Sequence, residues 1–473
     1  MRARLTTIVA ATAIMLVPLF ASADTVEDQL RLMNDRMTSM EDQLQATQDQ
    51  LEDANARVDQ QQDILEKAGL ERQAQSGLSA FLSETQFSGH MAASYNYNHN
   101  NNDSSSSIVD GGRLSGGQLG LTAPFHSQPN NFQLDQFYLA MQKPATAESR
   151  GGWKFGIVWG ESADIANGFG DEFDVDDQLP LSPYVHRAYV EYLADIGSGV
   201  NIRLGRWGTP VGAESFLTSE NYQITRGLLW SLQPVNHTGL EISGDCDCGI
   251  DWSLALANDF SDTNIDSDQG KTFVGHVGYT AETWGAKVNG IYGGNLDNTF
   301  YGLYDGVRGA GSSKDKVSLL DFVFTADPSD DFSMWFNFDY YWSKNSGNAD
   351  GASSLTVYGF AAAGRYAITD STGISLRGEY LIGNDAGVEF SPFGLDDGVG
   401  SSSDFDLWSI TGTLDHALTD NLTLRVENRV DWGTAQGAKD RFFVKSSTSS
   451  SGNDRIWSQS TQVLNVVQLL YRF

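Results

Sequence analysis

The stretch Phe87-Ser88-Gly89-His90-Met91-Ala92-Ala93-Ser94-Tyr95-Asn96-Tyr97 is apolar or glycine at its odd positions and mostly polar at its even ones. A period of two puts successive side chains on opposite faces of an extended strand, so this segment reads as a strand with one apolar and one polar face. The alternation recurs to the end of the chain. Leu422, Leu424, Val426, Val430 and Trp432 share one face, and Thr423, Arg425, Glu427, Arg429 and Asp431 share the other. Phe336, Phe338, Tyr340 and Trp342 oppose Asn337, Asp339 and Tyr341, while Ile374, Leu376 and Tyr380 oppose Ser375, Arg377 and Glu379. A soluble sandwich alternates too, but here the polar face is dense in charges of both signs and the apolar face carries aromatics near strand ends. Lipid outside and a wet lumen inside explain both features, and closure leaves no backbone polar group facing hydrocarbon.

The pattern predicts sixteen antiparallel strands, near 87–97, 132–142, 152–160, 184–194, 199–208, 237–244, 250–258, 271–280, 284–293, 317–326, 331–343, 355–368, 373–382, 404–415, 422–432 and 457–473. Long links alternate with short ones such as Ala281-Glu282-Thr283 and Asp327-Pro328-Ser329-Asp330. Long outer loops, short periplasmic turns and an even strand count are the pattern of an outer-membrane β-barrel. Sixteen strands leave an aqueous channel, whereas eight fill their interior with side chains. The last strand sets Val463, Val467, Leu469, Tyr471 and Phe473 on one face. Its aromatic end, Tyr471 and Phe473, resembles the signal read by the barrel-assembly machinery, which is therefore an expected partner.

The chain has 473 residues, 40% of them hydrophobic, and after the first 20 no apolar run approaches the roughly 20 residues of a membrane helix. With 30 basic and 61 acidic side chains the net charge is −31, which argues against nucleic acid as a partner because phosphate would be repelled. Residues 1–23 read as a signal peptide: Arg2 and Arg4, the apolar Ile8 to Phe20, then Ala21-Ser22-Ala23. Residues 24–75 carry Val26, Leu30, Met33, Met37, Met40, Leu44, Thr47, Leu51, Ala54, Val58, Gln61 and Leu65 at alternating spacings of 4 and 3. That 3.5-residue period predicts a left-handed coiled coil, placed in the periplasm, with a lone amphipathic helix as the alternative. Residues 76–86 form a linker and 87–473 the transmembrane barrel.

The segments Asn131-Phe132-Gln133-Leu134-Asp135-Gln136-Phe137-Tyr138-Leu139-Ala140-Met141-Gln142-Lys143-Pro144, Leu204-Gly205-Arg206-Trp207-Gly208-Thr209-Pro210-Val211-Gly212-Ala213-Glu214 and Gln233-Pro234-Val235-Asn236-His237-Thr238-Gly239 resemble the β-barrel porin family called OmpL-like. The resemblance is best over residues 87–300. A looser one runs to the phosphate-selective porin O/P group, through the Gly-x-x-x-x-Pro strand-to-loop pattern. It implies an outer-membrane porin passing small hydrophilic solutes by diffusion, without naming the solute. Because porin barrels are commonly trimeric, a homotrimer aided by the coiled coil is expected. The alternative is a structural anchor that links the barrel to peptidoglycan through the coiled coil.

Loop 209–236 is long, rather apolar, and carries Pro210 and Gly212, so it is the segment expected to fold into the pore. Glu214, Glu220 and Arg226 would then form a charged constriction facing Lys154, Arg187 and Arg203, since such rings select ions by field and diameter. Glu191, Asp339, Arg377, Glu379, Arg425, Glu427, Arg429 and Asp431 are also assigned to the lumen, and their acidic members lean the expectation toward cations or neutral solutes. Loop 161–183 holds Asp171, Glu172, Asp174, Asp176 and Asp177 and no basic residue, a set that is either a solvated acidic loop or a Ca²⁺ or Mg²⁺ bridge to lipopolysaccharide. Cys246 and Cys248 sit in a predicted periplasmic turn, where an oxidising compartment favours a local structural disulfide. Nothing nominates a cofactor, and no Gly-x-Ser-x-Gly nominates a hydrolase.

Overall fold

In the computed structural model, residues 45, 79, 81–99, 125–126, 130–166, 183–246, 248–260, 270–293, 316–344, 355–384, 405–435, 443–444, 457–459 and 461–473 are described. The chain divides into two units, Met1–Ser83 and Glu84–Phe473. The expected signal peptide and all of the heptad seam positions lie outside the described residues. No helix among the described residues is long and apolar enough to cross a membrane.

The strands are β1 (Gln86–Asn98), β2 (Asn131–Lys143), β3 (Gly151–Trp159), β4 (Tyr184–Ala194), β5 (Val200–Gly208), β6 (Asn236–Asp245), β7 (Ile250–Ala257), β8 (Thr272–Thr280), β9 (Trp284–Gly293), β10 (Lys316–Ser329), β11 (Phe332–Lys344), β12 (Leu355–Thr369), β13 (Thr372–Asn384), β14 (Phe405–Ala417), β15 (Leu422–Ala435), β16 (Phe443–Val444), β17 (Trp457–Gln459) and β18 (Thr461–Arg472). Sixteen of them pair antiparallel in chain order into a closed barrel, and β18 closes on β1. At that seam the Gly89 amide donates to the Phe473 carbonyl and the Phe473 amide returns the bond, both at 3.1 Å. The segment expected as one strand over 457–473 is two. Trp457–Gln459 pairs with Phe443–Val444 in a separate two-stranded sheet, and the barrel strand starts at Thr461. A short helix, α1 (Glu161–Ala166), follows β3.

Facing follows the alternation. On β15, Arg425, Glu427, Arg429 and Asp431 are buried inside while Val426, Asn428 and Val430 point outward. On β11, Asn337, Asp339 and Tyr341 point in, and on β13 so do Ser375, Arg377 and Glu379. The outer face carries an in-register aromatic row, one ring per strand, through Phe338, Phe360, Tyr380, Trp408 and Trp432. Tyr380 stacks on Trp408 with centroids 4.0 Å apart, and Trp408 lies nearly parallel to Trp432 at 6.2 Å. The Tyr and Trp rings of this row have an apolar body and a polar edge, which suits the lipid–water boundary, and an outward aromatic band is the girdle of a membrane barrel.

Among the register shifts of the described strands, those in β2 and β4 each re-aim a polar side chain. Between β1 and β2 the register slips so that Asp135 is the extra residue, and Asp135 and Gln136 are both buried. Between β3 and β4 the extra residue is His186, beside the inward-facing Arg187. A bulge opposes two residues to one and bends the strand, so consecutive side chains can serve the same side.

Candidate pore constriction

Thr209 to Val235 connects β5 to β6 across the inside of the barrel, with 3-10 turns at Thr218–Glu220 and Leu229–Leu232. Val211, Phe216, Leu217, Ile224, Leu228, Leu229, Trp230 and Leu232 are all buried, and Ile224 packs on Leu464 and Val466 of β18. A segment like this has no ladder for its own amides and carbonyls, and each such group enclosed away from water must find a partner. The wall supplies them. Wall carboxylates and amides take loop N–H groups: Gly212 to Asp321 at 3.2 Å, Ala213 to Asn337 at 3.2 Å, Thr218 to Gln136 at 2.9 Å, Ile224 to Glu427 at 2.6 Å and Thr225 to Glu427 at 3.0 Å. Wall cations take loop carbonyls: Arg377 binds Thr225 at 2.7 Å, Arg425 binds Asn221 at 3.0 Å, Arg429 binds Arg226 at 2.5 Å, and Lys287 binds Pro210 at 2.7 Å and Gly212 at 2.9 Å. Hydrogen bonds with one charged partner are about twice as strong as neutral ones, so this set fixes the loop's position firmly.

This geometry revises the expected lining. Asp339, Arg377, Glu379, Arg425, Glu427, Arg429 and Asp431 all point inward, but they are 0–5% exposed because the loop covers them. Six of them hold the loop and Asp431 holds Arg429 at 2.8 Å, so none faces open water and their acidic surplus no longer supports cation preference. Arg226 also departs from expectation: it is 1% exposed and donates to the loop's own Ser215, Ile224 and Phe216 carbonyls at 2.7, 2.9 and 2.6 Å. Glu214 makes its ion pair with the opposite wall rather than with Arg187. It pairs with Arg377 at 2.5 Å and accepts the Gly227 amide at 2.7 Å. Burial pushes its carboxyl above the usual range, against the opposing pull of the Arg377 guanidinium.

The remaining candidates lie on the other wall. Arg203 pairs with Glu241 at 2.6 Å and Glu191 at 3.7 Å and lies over the Tyr189 ring at 4.5 Å; its side chain keeps 23% exposure, against none for Arg377. Lys154 and Arg187, on β3 and β4, are partly exposed. Between this wall and the loop lies a polar cavity of about 240 Å³ lined by Arg187, Glu220, His186, Glu214, Lys287 and backbone of the loop. Asp321, Asn337, Gln136 and His186 were not among the site residues expected from the sequence, although Asn337 was placed on the polar face. The first two were legible from strand parity alone, whereas Gln136 follows a bulge and His186 is the extra residue of another, which parity does not reveal. Cys246 and Cys248 are joined by a disulfide. Asp171, Glu172, Asp174, Asp176 and Asp177 lie outside the described residues, and among the described ones no group of three His, Cys, Asp or Glu is placed to hold a metal ion.

Residues 84–473 match the model of the family described as "Putative beta-barrel porin-2, OmpL-like". The chain belongs to this porin family. No curated protein matches it. Among solved structures it is similar to the trimer form of OmpT from Vibrio cholerae, at TM-score 0.49 and 9% identity over 82% of this chain and 99% of that one. It is also similar to the outer membrane channel DcaP of Acinetobacter baumannii, at TM-score 0.48 and 10% identity over 82% and 97%. A third is an anion-selective porin from Comamonas acidovorans, at 0.47 and 10% over 82% and 99%.

Proposed function

We propose that this porin passes small hydrophilic solutes by passive diffusion through an asymmetric lumen. The observation that carries the reading is one-sided docking: the loop 209–235 is bound to the β9–β15 wall, β18 and β2, and the partly exposed inward charges lie on the β3–β7 side. On that side Lys154, Arg187 and Arg203 stand against Glu191, Asp251 and the buried Glu241, with Glu220 exposed on the loop, so the local field is close to balanced and charge selectivity is weak. The barrel sits in outer-membrane lipid and lipopolysaccharide. The coiled coil over 24–75 lies in the periplasm, where it holds a homotrimer together and sets its distance from peptidoglycan.

Planar-bilayer recording tests this. Purified protein gives discrete conductance steps and a reversal potential near zero across a salt gradient. The same measurement on a chain lacking residues 24–80 gives similar steps with altered grouping, because the helical segment assembles the pore rather than filling it. Folded protein without steps would sink the porin reading, and a reversal potential near the Nernst limit for either ion would sink the balanced lumen.

A further inference from the structure

We propose that the cavity between the β3–β5 wall and the constriction loop binds a small zwitterionic solute of the α-amino acid class, its carboxylate on Arg187 and its ammonium on Glu220 and His186. The inference rests on the porin reading, in that the solute reaches the site from the lumen.

Of the charged groups lining the cavity, two are already engaged. Glu214 is held by Arg377 and the Gly227 amide, and Lys287 by the carbonyls of Pro210 and Gly212. Arg187 and Glu220 line the same cavity and, among the described residues, make no ion pair with each other or with anything else. The Arg187 Nε is enclosed without a hydrogen-bond partner. A planar guanidinium with free donors suits a carboxylate, which it grips through two parallel bonds.

The third group is His186, 2% exposed, with its Nε2 enclosed and unpartnered. Its protonation pattern follows from its neighbour. Asn236 donates through Nδ2 to the His186 and Trp207 carbonyls, which fixes its Oδ1 as the acceptor. That Oδ1 receives the Tyr184 hydroxyl at 2.7 Å and lies 3.2 Å from the His186 Nδ1, which is therefore the protonated nitrogen. Nε2 is left as a bare acceptor on a residue that lines the cavity, suited to an ammonium N–H. The ring stacks on Phe216 of the loop with centroids 5.0 Å apart, so it is held in place. The bulge at Gly156/Ile157 is what brings His186 and Arg187, neighbours in sequence, to the same side.

A purely anionic solute would leave Glu220 repelling it, and a purely cationic one would face both Arg187 and Lys287. A zwitterion answers both charges at once and fills the acceptor. The volume of about 240 Å³ is below the roughly 300–1,000 Å³ of drug-sized pockets, which restricts the solute to a small one.

The test uses the full chain with three probes: L-alanine, propionate and ethylammonium. In single-channel recordings alanine lowers the ion current saturably, while propionate and ethylammonium require at least about tenfold higher concentration. Arg187→Gln and Glu220→Gln each raise the half-saturating alanine concentration about tenfold, the loss of one charge-assisted contact. Calorimetric titration of alanine into the detergent-solubilised chain reads the site without current. Binding without conductance would overturn the porin reading and leave the site standing. Conductance without saturable alanine binding overturns the site. Propionate binding as well as alanine, with sensitivity to Arg187→Gln but none to Glu220→Gln, also overturns it, since that describes an anion site.

Discussion

Glu427 is the residue on which the docked loop most depends. Its carboxylate is 1% exposed and accepts four hydrogen bonds: Ile224 N at 2.6 Å, Thr225 N at 3.0 Å, Thr225 Oγ1 at 2.6 Å and Thr413 Oγ1 at 2.8 Å. Replacing it with leucine removes all four. The two hydroxyls can rotate toward other acceptors, but the two amides are fixed by the backbone. A buried donor without an acceptor costs about 1–3 kcal/mol, so two of them weaken docking of the segment around 221–226 by about 4 kcal/mol. At 1.4 kcal/mol per factor of ten, that shifts the local equilibrium toward the undocked loop by about a thousandfold. Glutamine keeps one oxygen acceptor but presents its NH₂ to the other amide, and loses about half as much. The barrel itself should survive, because the β14–β15 ladder uses backbone groups. Single-channel conductance and liposome swelling with graded sugars measure the outcome. Conductance, current noise and size cut-off should rise in the order wild type, Glu427→Gln, Glu427→Leu, with barrel unfolding in urea little changed. A folded Glu427→Leu barrel with wild-type conductance and cut-off would refute the idea that this carboxylate holds the loop.

Arg377 lies between Glu214 at 2.5 Å and Glu379 at 3.0 Å, so Arg377→Met should cost about 3–5 kcal/mol in loop docking. Arg377→Met with Glu214→Leu should be milder than Arg377→Met alone; equal or greater damage in hydrogen exchange of the loop amides would argue against the pair. Gly212 sits at φ +85°, and a Cβ there would come within 2.0 Å of Gln233 Oε1, so Gly212→Ala should displace Gln233 from Asn337 and Asp339 and cost about 1–3 kcal/mol, seen as faster exchange over 209–235. The Cys246–Cys248 loop is minimal, so replacing both with serine should lower stability by only about 1–2 kcal/mol and leave conductance alone. The Phe473 ring lies over Gly89, and Phe473→Ala should reduce the yield of folded, heat-modifiable barrel without altering the conductance of the barrels that do form.

The barrel was legible because the signals that make it are local. Parity of two, breaks at turn residues and alternation of link length depend on neighbours within a strand or hairpin. The expected strands fall within about three residues of those observed, apart from 457–473, where a small separate sheet takes the first residues. Parity also placed Arg377, Glu379, Arg425, Glu427, Arg429 and Asp431 on the inner face. What it could not supply was the neighbour on that face. Whether Glu427 meets water or the Ile224 amide is decided by a segment some 200 positions earlier in the chain.

Sequence by itself therefore determined the barrel, the face of each regular strand and the loop that enters the lumen, since periodicity and turn chemistry act over a few residues. Tertiary structure alone decided which inward charges anchor and which remain open. Burial of the loop's amides and carbonyls consumes the charges of the β10–β15 wall, and the bulge at His186 turns Arg187 and its neighbour toward the side left free.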